Sequence, residues 1–171
     1  MNIEIRPERE SDFPGICELV RTAFESAEHT DGDEHNLVGR IRETPEYIPE
    51  LSLVALCGGR IVGYIMFSRI KIGGSDAVAP APLAVAADMM RRGIGRRLIE
   101  TGHAIAREMG FACAVVLGEP SYYSASGYVP ASDYCISATF NIPEEYYMVC
   151  PLRPAASIPA GTVSYSAAFG M

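Results

Sequence analysis

The chain has 171 residues, 49% of them hydrophobic, and a formal net charge of −7. This length and composition suffice for one domain with a full hydrophobic core, so we expect a single domain over residues 1–171. The acidic charge argues against nucleic acid and against anionic membranes as partners, because both bind basic surfaces.

The five cysteines are scattered along the chain and never spaced as Cys-x-x-Cys, and there are three histidines. This usage indicates a reduced protein without a structural zinc, so we predict no metal site. The first residues carry charges throughout, unlike a signal peptide, and no apolar run reaches the about 18 residues of a membrane helix. We therefore expect a cytoplasmic protein.

The first elements follow from hydrophobic periodicity. Residues 2–6 alternate between polar and apolar, which predicts an edge strand that Pro7 ends. Apolar residues at helical spacing predict a helix from Phe13 to Phe24. A polar, acidic stretch follows, and a second, short helix is predicted over residues 35–43.

Three strands are predicted next. Residues 51–57 and 60–70 are apolar runs joined by Gly58-Gly59, a pattern typical of a hairpin with a tight turn. Residues 78–86 form a third run that contains two prolines. Because proline cannot donate a ladder hydrogen bond, this strand is expected to pair irregularly or to lie at an edge of the sheet.

The periodicity then becomes helical, and Gly110 can end that helix. Residues 111–117 predict a buried strand, residues 121–126 a tyrosine-rich helical turn, and residues 146–152 the clearest of the last strands. The apolar face of the long helix is predicted to consist of Ile94, Leu98, Ile105 and Met109.

This order of elements predicts a mixed α/β fold. The early strands are expected to be antiparallel, and the strand–helix–strand unit in the middle is expected to form a parallel crossover.

The most informative stretch runs from Leu83 to Glu100, where a strand, a turn and a helix follow one another. The N terminus of a helix presents unpaired N–H groups and a partial positive charge, which bind phosphates. Gly93 and Gly95 let an anion approach the backbone closely, and the positive charge comes from Arg91, Arg92, Arg96 and Arg97. These features predict a pyrophosphate site; alternatively, the glycines only relieve crowding between helix and sheet.

Two other phosphate-binding patterns fit less well. The dinucleotide fingerprint needs a third glycine, where this chain has Leu98, and a P-loop needs a final Gly-Lys-Ser/Thr.

Leu83-Ala-Val, followed by Arg91-Arg-Gly-Ile-Gly-Arg, resembles the acetyl-CoA-binding motif of the GNAT superfamily of N-acetyltransferases. The block from Val115 to Tyr128 is similar to a later segment of that superfamily. Together with Leu51-Ser-Leu-Val-Ala and Ala81-Pro-Leu-Ala-Val, it resembles the YhbS-like subgroup. The resemblance covers residues 4–149. One departure is Met90, at a position where the superfamily usually has Gln or Arg.

The resemblance implies a GNAT-like fold, with a mixed, mostly antiparallel central sheet and helices on both faces. It implies acetyl-CoA as co-substrate, no metal, and transfer of the acetyl group to a primary amine by direct attack. A small-molecule or peptide amine would be the acceptor. The residues expected to bind the coenzyme are Leu83, Ala84, Val85, Arg91, Arg92, Gly93, Ile94, Gly95 and Arg96.

Catalysis needs an acid, a base and a donor for the oxyanion. Tyr123 occupies the superfamily's acid position and is expected to protonate the thiolate, although packing of the helix on the sheet is the alternative role. The N–H of Val85 is expected to bind the developing negative charge. Glu34 is the candidate base and Glu119 its rival, and both could instead be solvated surface carboxylates.

Two other functions remain open at this point. A non-catalytic sensor could use the same turn to bind acyl-CoA, and a nucleotide-binding domain would prefer NAD or ATP. A homodimer is expected if edge strands near the C terminus pair between copies.

Overall fold

The computed structural model describes residues 2–25 and 32–170. Its helices are α1 (Phe13–Phe24), α2 (Glu34–Arg42), α3 (Ile94–Glu108) and α4 (Pro120–Tyr123). Its strands are β1 (Ile3–Pro7), β2 (Tyr47–Cys57), β3 (Arg60–Ile72), β4 (Ser75–Val85), β5 (Cys113–Leu117), β6 (Val129–Pro130), β7 (Ile136–Ser137), β8 (Tyr147–Pro151) and β9 (Gly161–Ser164).

The strands form one sheet in the order β1-β2-β3-β4-β5-β8-β6. Neighbours along this path are antiparallel except β4 and β5, which run parallel and are connected through α3. β9 pairs with the end of β3 and with β7. The predicted mixed, mostly antiparallel sheet with a central crossover is confirmed.

Helices cover both faces of this sheet, as predicted. A Cβ on Gly63 of β3 would meet the Ile94 and Leu98 side chains, so this residue faces α3. The next residue, Tyr64, points to the opposite face and donates its hydroxyl to Glu8, which also binds Arg42 of α2.

The β2–β3 hairpin turns at Gly58 and Gly59, as predicted. Their φ values are 57° and 81°, in the left-handed region that glycine adopts without a steric penalty.

The two prolines of β4 do not place it at an edge, because β4 lies between β3 and β5. The alternative prediction, irregular pairing, is confirmed. Leu83 pairs with Ile65, but Pro80 pairs with Phe67, so β4 has one extra residue in this interval. Such a bulge leaves a residue outside the ladder, which lets proline occupy a central strand. The peptide bond before Pro82 is cis.

One predicted core residue is exposed. Ile94 and Leu98 lie buried on the sheet side of α3, but Met109 is 43% exposed. The helix ends at Glu108, so Met109 no longer follows its apolar face.

Within residues 2–25 and 32–170, no helix is long and apolar enough to cross a membrane. In the same residues, no three His, Cys, Asp or Glu side chains are grouped as a metal site would require.

A buried polar cluster connects β1, α2, β2 and β3. The Glu8 side chain is 1% exposed and accepts hydrogen bonds from Arg42 Nε and Nη2 at 3.0 and 2.8 Å. The Tyr47 and Tyr64 hydroxyls donate to the same carboxylate at 2.5 and 3.0 Å. Burial and the Glu8 charge raise the pKa of Tyr47 to about 12. The carboxylate is therefore paired on both oxygens.

Replacing Glu8 by Ala should destabilise the protein by about 3 kcal/mol or more, because it leaves the Arg42 charge buried without its partner. Urea unfolding measures this loss as a lower midpoint. The control is Glu18→Ala, which breaks an exposed pair with Arg21 and should cost less than about 0.5 kcal/mol. Equal midpoints for the two variants would contradict this role of Glu8.

Candidate active site

The turn between β4 and α3 combines left-handed backbone with the start of a helix. Arg91 and Gly93 have φ values of 62° and 79°. Gly93 is the N-terminal cap of α3, and its carbonyl accepts the first helical hydrogen bond from Arg97 at 3.0 Å. The N–H groups of the first turn have no acceptor within the helix. They are therefore available to bind an anion.

Gly95 lies where α3 meets the tyrosine-bearing helix α4. A Cβ on this residue would overlap with the Tyr122 hydroxyl and would lie 3.6 Å from Val85 Cγ2. The Tyr122 hydroxyl thus occupies the space above the Gly95 backbone, between a strand and two helices. This contact was not predicted, and the close approach of an anion to Gly95 stays a prediction.

A cleft of about 310 Å³ lies over this turn. Six of the residues predicted to bind the coenzyme line it: Val85, Arg91, Gly93, Ile94, Gly95 and Arg96. Sequence reasoning missed Tyr122 and Met89, and considered Met90 only as a departure from the motif. Met90 is 58% exposed, so the cleft has an apolar side chain at the usual polar position.

The other three predicted coenzyme residues do not line the cleft. Leu83 and Ala84 precede Val85 on β4, and Ala84 is buried opposite Tyr64. The Arg92 side chain is exposed.

The four arginines of the turn do not act as one cluster. Arg91 and Arg96 line the cleft, and Arg96 also forms an exposed pair with Glu100 at 3.0 Å. Arg97 instead donates to the Ile3 carbonyl of β1 at 3.2 Å. The Arg97 side chain is therefore directed towards the edge of the sheet and does not line the cleft, and its contribution to the charge at the helix end stays a prediction.

The backbone of β4 turns its free edge towards the same region. Ala86 donates to the Val62 carbonyl at 2.9 Å, so Val62 and Ala86 are a hydrogen-bonded pair. Bonded and non-bonded pairs alternate in an antiparallel ladder, so the next pair, Gly63 with Val85, is non-bonded. The Val85 N–H is therefore directed away from β3, towards β5.

β5 leaves this edge of β4 uncovered. Among the described residues the two strands share one register pair, Val78 with Ala114. β5 then pairs along its length with β8. The part of β4 up to Val85 therefore faces an opening between the two strands, which we call the β4–β5 opening.

Tyr123 is packed at the end of β5. A Cβ on Gly118 would overlap with its ring, which also meets Tyr122 and Tyr128 edge to face at 5.0 and 5.4 Å. Burial raises the pKa of Tyr123 above its ordinary value, so the phenol keeps its proton at neutral pH. The sequence predicted both an acid and a packing residue here, and the ring packing is present.

His103 supports this stack from α3. Its Nε2 lies 2.9 Å from the buried Tyr128 hydroxyl. The Tyr128 ring in turn packs against the Tyr123 ring. Burial lowers the pKa of His103 to about 4, so the imidazole is neutral at pH 7. The neutral His103 side chain therefore holds the Tyr128 ring in position without adding a charge.

The two candidate bases lie in different places. Glu34 is the first residue of α2 and is half-buried. Most of the acidic stretch before it, residues 26–31, lies outside the described residues. Glu119 is exposed, and its carbonyl accepts from the Tyr122 and Tyr123 amides at 3.1 and 3.0 Å. Glu119 is thus connected to Tyr123 by a backbone hydrogen bond, one helical turn before it.

Comparison with known proteins identifies the family. Residues 4–131 match the family described as an acetyltransferase (GNAT) domain, which is well over half of the chain. The chain belongs to the GNAT acetyltransferase family. It is 37% identical over 133 residues to the uncharacterised N-acetyltransferase YhbS of Escherichia coli strain K12, covering 76% of this chain and 75% of YhbS. It is also 37% identical over 142 residues to YjhQ of the same strain, covering 80% and 75%.

Solved structures agree with this membership. The crystal structure of E. coli YhbS in complex with CoA matches with a TM-score of 0.90 and 32% identity, over 100% of this chain and 93% of the other. A GNAT family acetyltransferase from Brucella melitensis in complex with acetyl-CoA matches with a TM-score of 0.83 and 29% identity, over 98% of both chains. The chain is thus an acyl-CoA-dependent acetyltransferase of this family.

Replacing Gly95 by Ala should weaken CoA binding by about tenfold or more, because the added methyl group would overlap with the Tyr122 hydroxyl and push this side chain into the cleft. Isothermal titration calorimetry measures the Kd. The control is Gly39→Ala in α2, where an added Cβ meets nothing within 4 Å. A Gly95→Ala protein that binds CoA as tightly as Gly39→Ala would contradict the assignment of this cleft.

Proposed function

We propose that this enzyme transfers the acetyl group of acetyl-CoA to a primary amine of a small molecule or peptide by direct attack. The observation that carries the proposal is the cleft over the first turn of α3, which is lined by Val85 at the open edge of β4 and by Tyr122, whose ring packs against Tyr123. The CoA and acetyl-CoA complexes of the two relatives support the choice of co-substrate.

The residues of this cleft, which we call the coenzyme cleft, fit this co-substrate. The amides of residues 93–96 and the charges of Arg91 and Arg96 would hold the diphosphate. Met89 and Met90 supply apolar surface, and the free edge of β4 at Leu83 and Val85 offers backbone groups to the amides of the pantetheine arm. Ala84 forms a hydrogen-bonded pair with Tyr64 of β3, so it would position the strand rather than contact the coenzyme.

Acetyl-CoA supplies an activated acyl group, whose carbon forms a bond to the amine nitrogen while its bond to sulfur breaks. In our proposal the Val85 N–H donates to the carbonyl oxygen as negative charge develops there. The bound ammonium first gives one proton to a base, and the neutral amine then attacks. As the bond to sulfur breaks, the Tyr123 hydroxyl gives its proton to the departing sulfur, and the second proton lost by the nitrogen returns to the Tyr123 oxygen. CoA then leaves as the thiol and the product is a neutral amide.

The base stays a proposal, with Glu34 and Glu119 as candidates. An aliphatic ammonium has a reference pKa of about 10, so at neutral pH a base must accept its proton. The pH dependence of kcat/KM in Glu34→Gln and Glu119→Gln, measured side by side, assigns this role. The variant that loses the acidic limb of the profile has lost the base.

Two expectations from the sequence remain predictions. One is cytoplasmic location, and the other is a homodimer. The sheet ends at β6 on the edge opposite β1, and this edge strand has two residues, one of which is Pro130. Such a short edge offers few backbone groups for pairing. Any dimer would therefore need another surface, and size-exclusion chromatography with light scattering measures the oligomeric state.

The overall proposal is tested by incubating the purified enzyme with acetyl-CoA and a panel of primary amines. We expect steady release of free CoA together with an acetylated amine identified by mass spectrometry. A protein that binds acetyl-CoA but releases no CoA with any amine would be a sensor, and the proposal would fail.

Tyr123→Phe should lower kcat by about 10²-fold or more, because it removes the proton donor and leaves the ring packing intact. Acetyl-CoA affinity should change little. Since burial raises the pKa of Tyr123, the parent enzyme should keep its kcat on the alkaline side up to about pH 10. Steady-state kinetics over pH measures both.

The matched control is Tyr122→Phe, which removes a hydroxyl one residue away. Tyr122 lines the coenzyme cleft, so its loss should raise the KM for acetyl-CoA rather than lower kcat. If the effects on kcat are exchanged between the two variants, Tyr122 is the acid.

A further inference from the structure

A second cavity lies on the other face of the β4–β5 opening. It has a volume of about 180 Å³ and is lined by residues 79–81 of β4, Val115 and Leu117 of β5, Tyr165 and Phe169. We call it the aromatic cavity.

The strand register places this cavity on the face away from α3. Cys150 pairs with Ala114 and lies 3.9 Å from His103 Nδ1, so Ala114 faces α3. Side chains alternate along a strand, so Val115 and Leu117 point to the opposite face. The coenzyme cleft and the aromatic cavity are therefore on opposite faces, and both border β4 where it separates from β5.

Among the residues that the structure describes, no charged side chain lines the aromatic cavity. The Tyr165 hydroxyl, its main polar group, is bonded to the Tyr147 hydroxyl at 2.7 Å. A cationic group placed here would lose its hydration without gaining a partner. The part of a substrate that enters must therefore be apolar, and its amine must stay at the opening.

The size and shape of the cavity suit a single ring. An apolar cavity of about 150 Å³ is large enough to bind benzene. The Tyr165 and Phe169 rings meet edge to face, with centroids 5.5 Å apart, and present an aromatic wall to such a ring.

This wall is held in position by the rest of the fold. Arg40 of α2 donates to the Ala168 carbonyl at 3.2 Å, and the buried Ser166 side chain accepts from the Ala168 amide at 3.2 Å. Phe169 also packs against the main hydrophobic core. The wall is thus built before any substrate arrives.

We propose that the acceptor is a primary amine carrying a benzene-sized apolar group a short chain away, and that the aromatic cavity binds this group. The inference rests on the proposed acetyl transfer, because it places the amine at the β4–β5 opening between the cavity and Tyr123. A free arylalkylamine and a peptide with an N-terminal aromatic residue share this chemistry.

The test compares kcat/KM for 2-phenylethylamine, for its ringless counterpart ethylamine and for spermidine. Turnover is measured as the release of free CoA. Burying one ring should raise kcat/KM for 2-phenylethylamine by roughly 10- to 100-fold over ethylamine. A dipeptide with N-terminal phenylalanine distinguishes the two sources, since a peptide enzyme would use it better than the free amine. Turnover of spermidine or ethylamine equal to that of 2-phenylethylamine would overturn the inference and leave acetyl transfer standing.

Leu117→Asn should lower the ratio of kcat/KM for 2-phenylethylamine to that for ethylamine by about tenfold, because it places an amide at the edge of the cavity. Leu117 is 53% exposed, so the substitution leaves the core intact. The matched control is Met109→Asn, an exposed apolar residue outside the cavity, which should keep the parent ratio.

Calorimetry with the enzyme–CoA complex tests the cavity without turnover. We expect saturable binding of 2-phenylethylamine that Leu117→Asn weakens and Met109→Asn does not. An absence of binding to the parent complex would overturn the inference. If 2-phenylethylamine binds but no amine of any class releases CoA, the proposed acetyl transfer fails and the cavity assignment stands.

Discussion

The separation of β4 from β5 is the constraint on which the site depends. The two strands pair at Val78 and Ala114 and then diverge, since β5 continues its ladder with β8. Elsewhere in a sheet, unpaired backbone N–H groups in the interior are costly. Here the unpaired edge of β4 is what a bound thioester arm can pair with. The same divergence produces the coenzyme cleft on one face and the aromatic cavity on the other.

Two glycines leave the space in which the tyrosines beside this opening are packed. The missing side chain of Gly95 admits the Tyr122 hydroxyl over the first turn of α3, and that of Gly118 admits the Tyr123 ring at the end of β5. His103 and Tyr128 then hold Tyr123 from the core side. The residue proposed to transfer a proton is therefore fixed by packing, while its pKa stays high because it is buried. Packing of the Tyr123 ring against its neighbours thus fixes the position of this residue and also keeps its hydroxyl protonated.

The order of elements could be predicted from the sequence because it depends on local periodicity and on turn glycines such as Gly58 and Gly59. The turn before α3 was equally accessible, because the left-handed backbone at Gly93 follows from its own sequence; that this turn binds phosphate stays a prediction. The place of β4 was harder to predict, because a bulge that accommodates Pro80 depends on the neighbouring strand. Local patterns also gave no sign that Arg97 turns to β1.

Contacts between distant segments account for what the sequence could not reveal. Tyr165 and Phe169 meet Val115 and Leu117 across about fifty residues of chain, and nothing in their spacing indicates a shared cavity. The same holds for Tyr122 and Gly95. The acidic stretch before Glu34 lies largely on residues 26–31, outside the described residues, and the choice between Glu34 and Glu119 stays a prediction.

A crystal structure of the protein with acetyl-CoA tests the central claim most directly. The account predicts diphosphate oxygens within about 3 Å of the amide nitrogens of residues 93–96, and a thioester carbonyl oxygen within hydrogen-bonding distance of the Val85 nitrogen. A diphosphate bound elsewhere, with Tyr122 still packed over Gly95 and the edge of β4 unpaired, would contradict it.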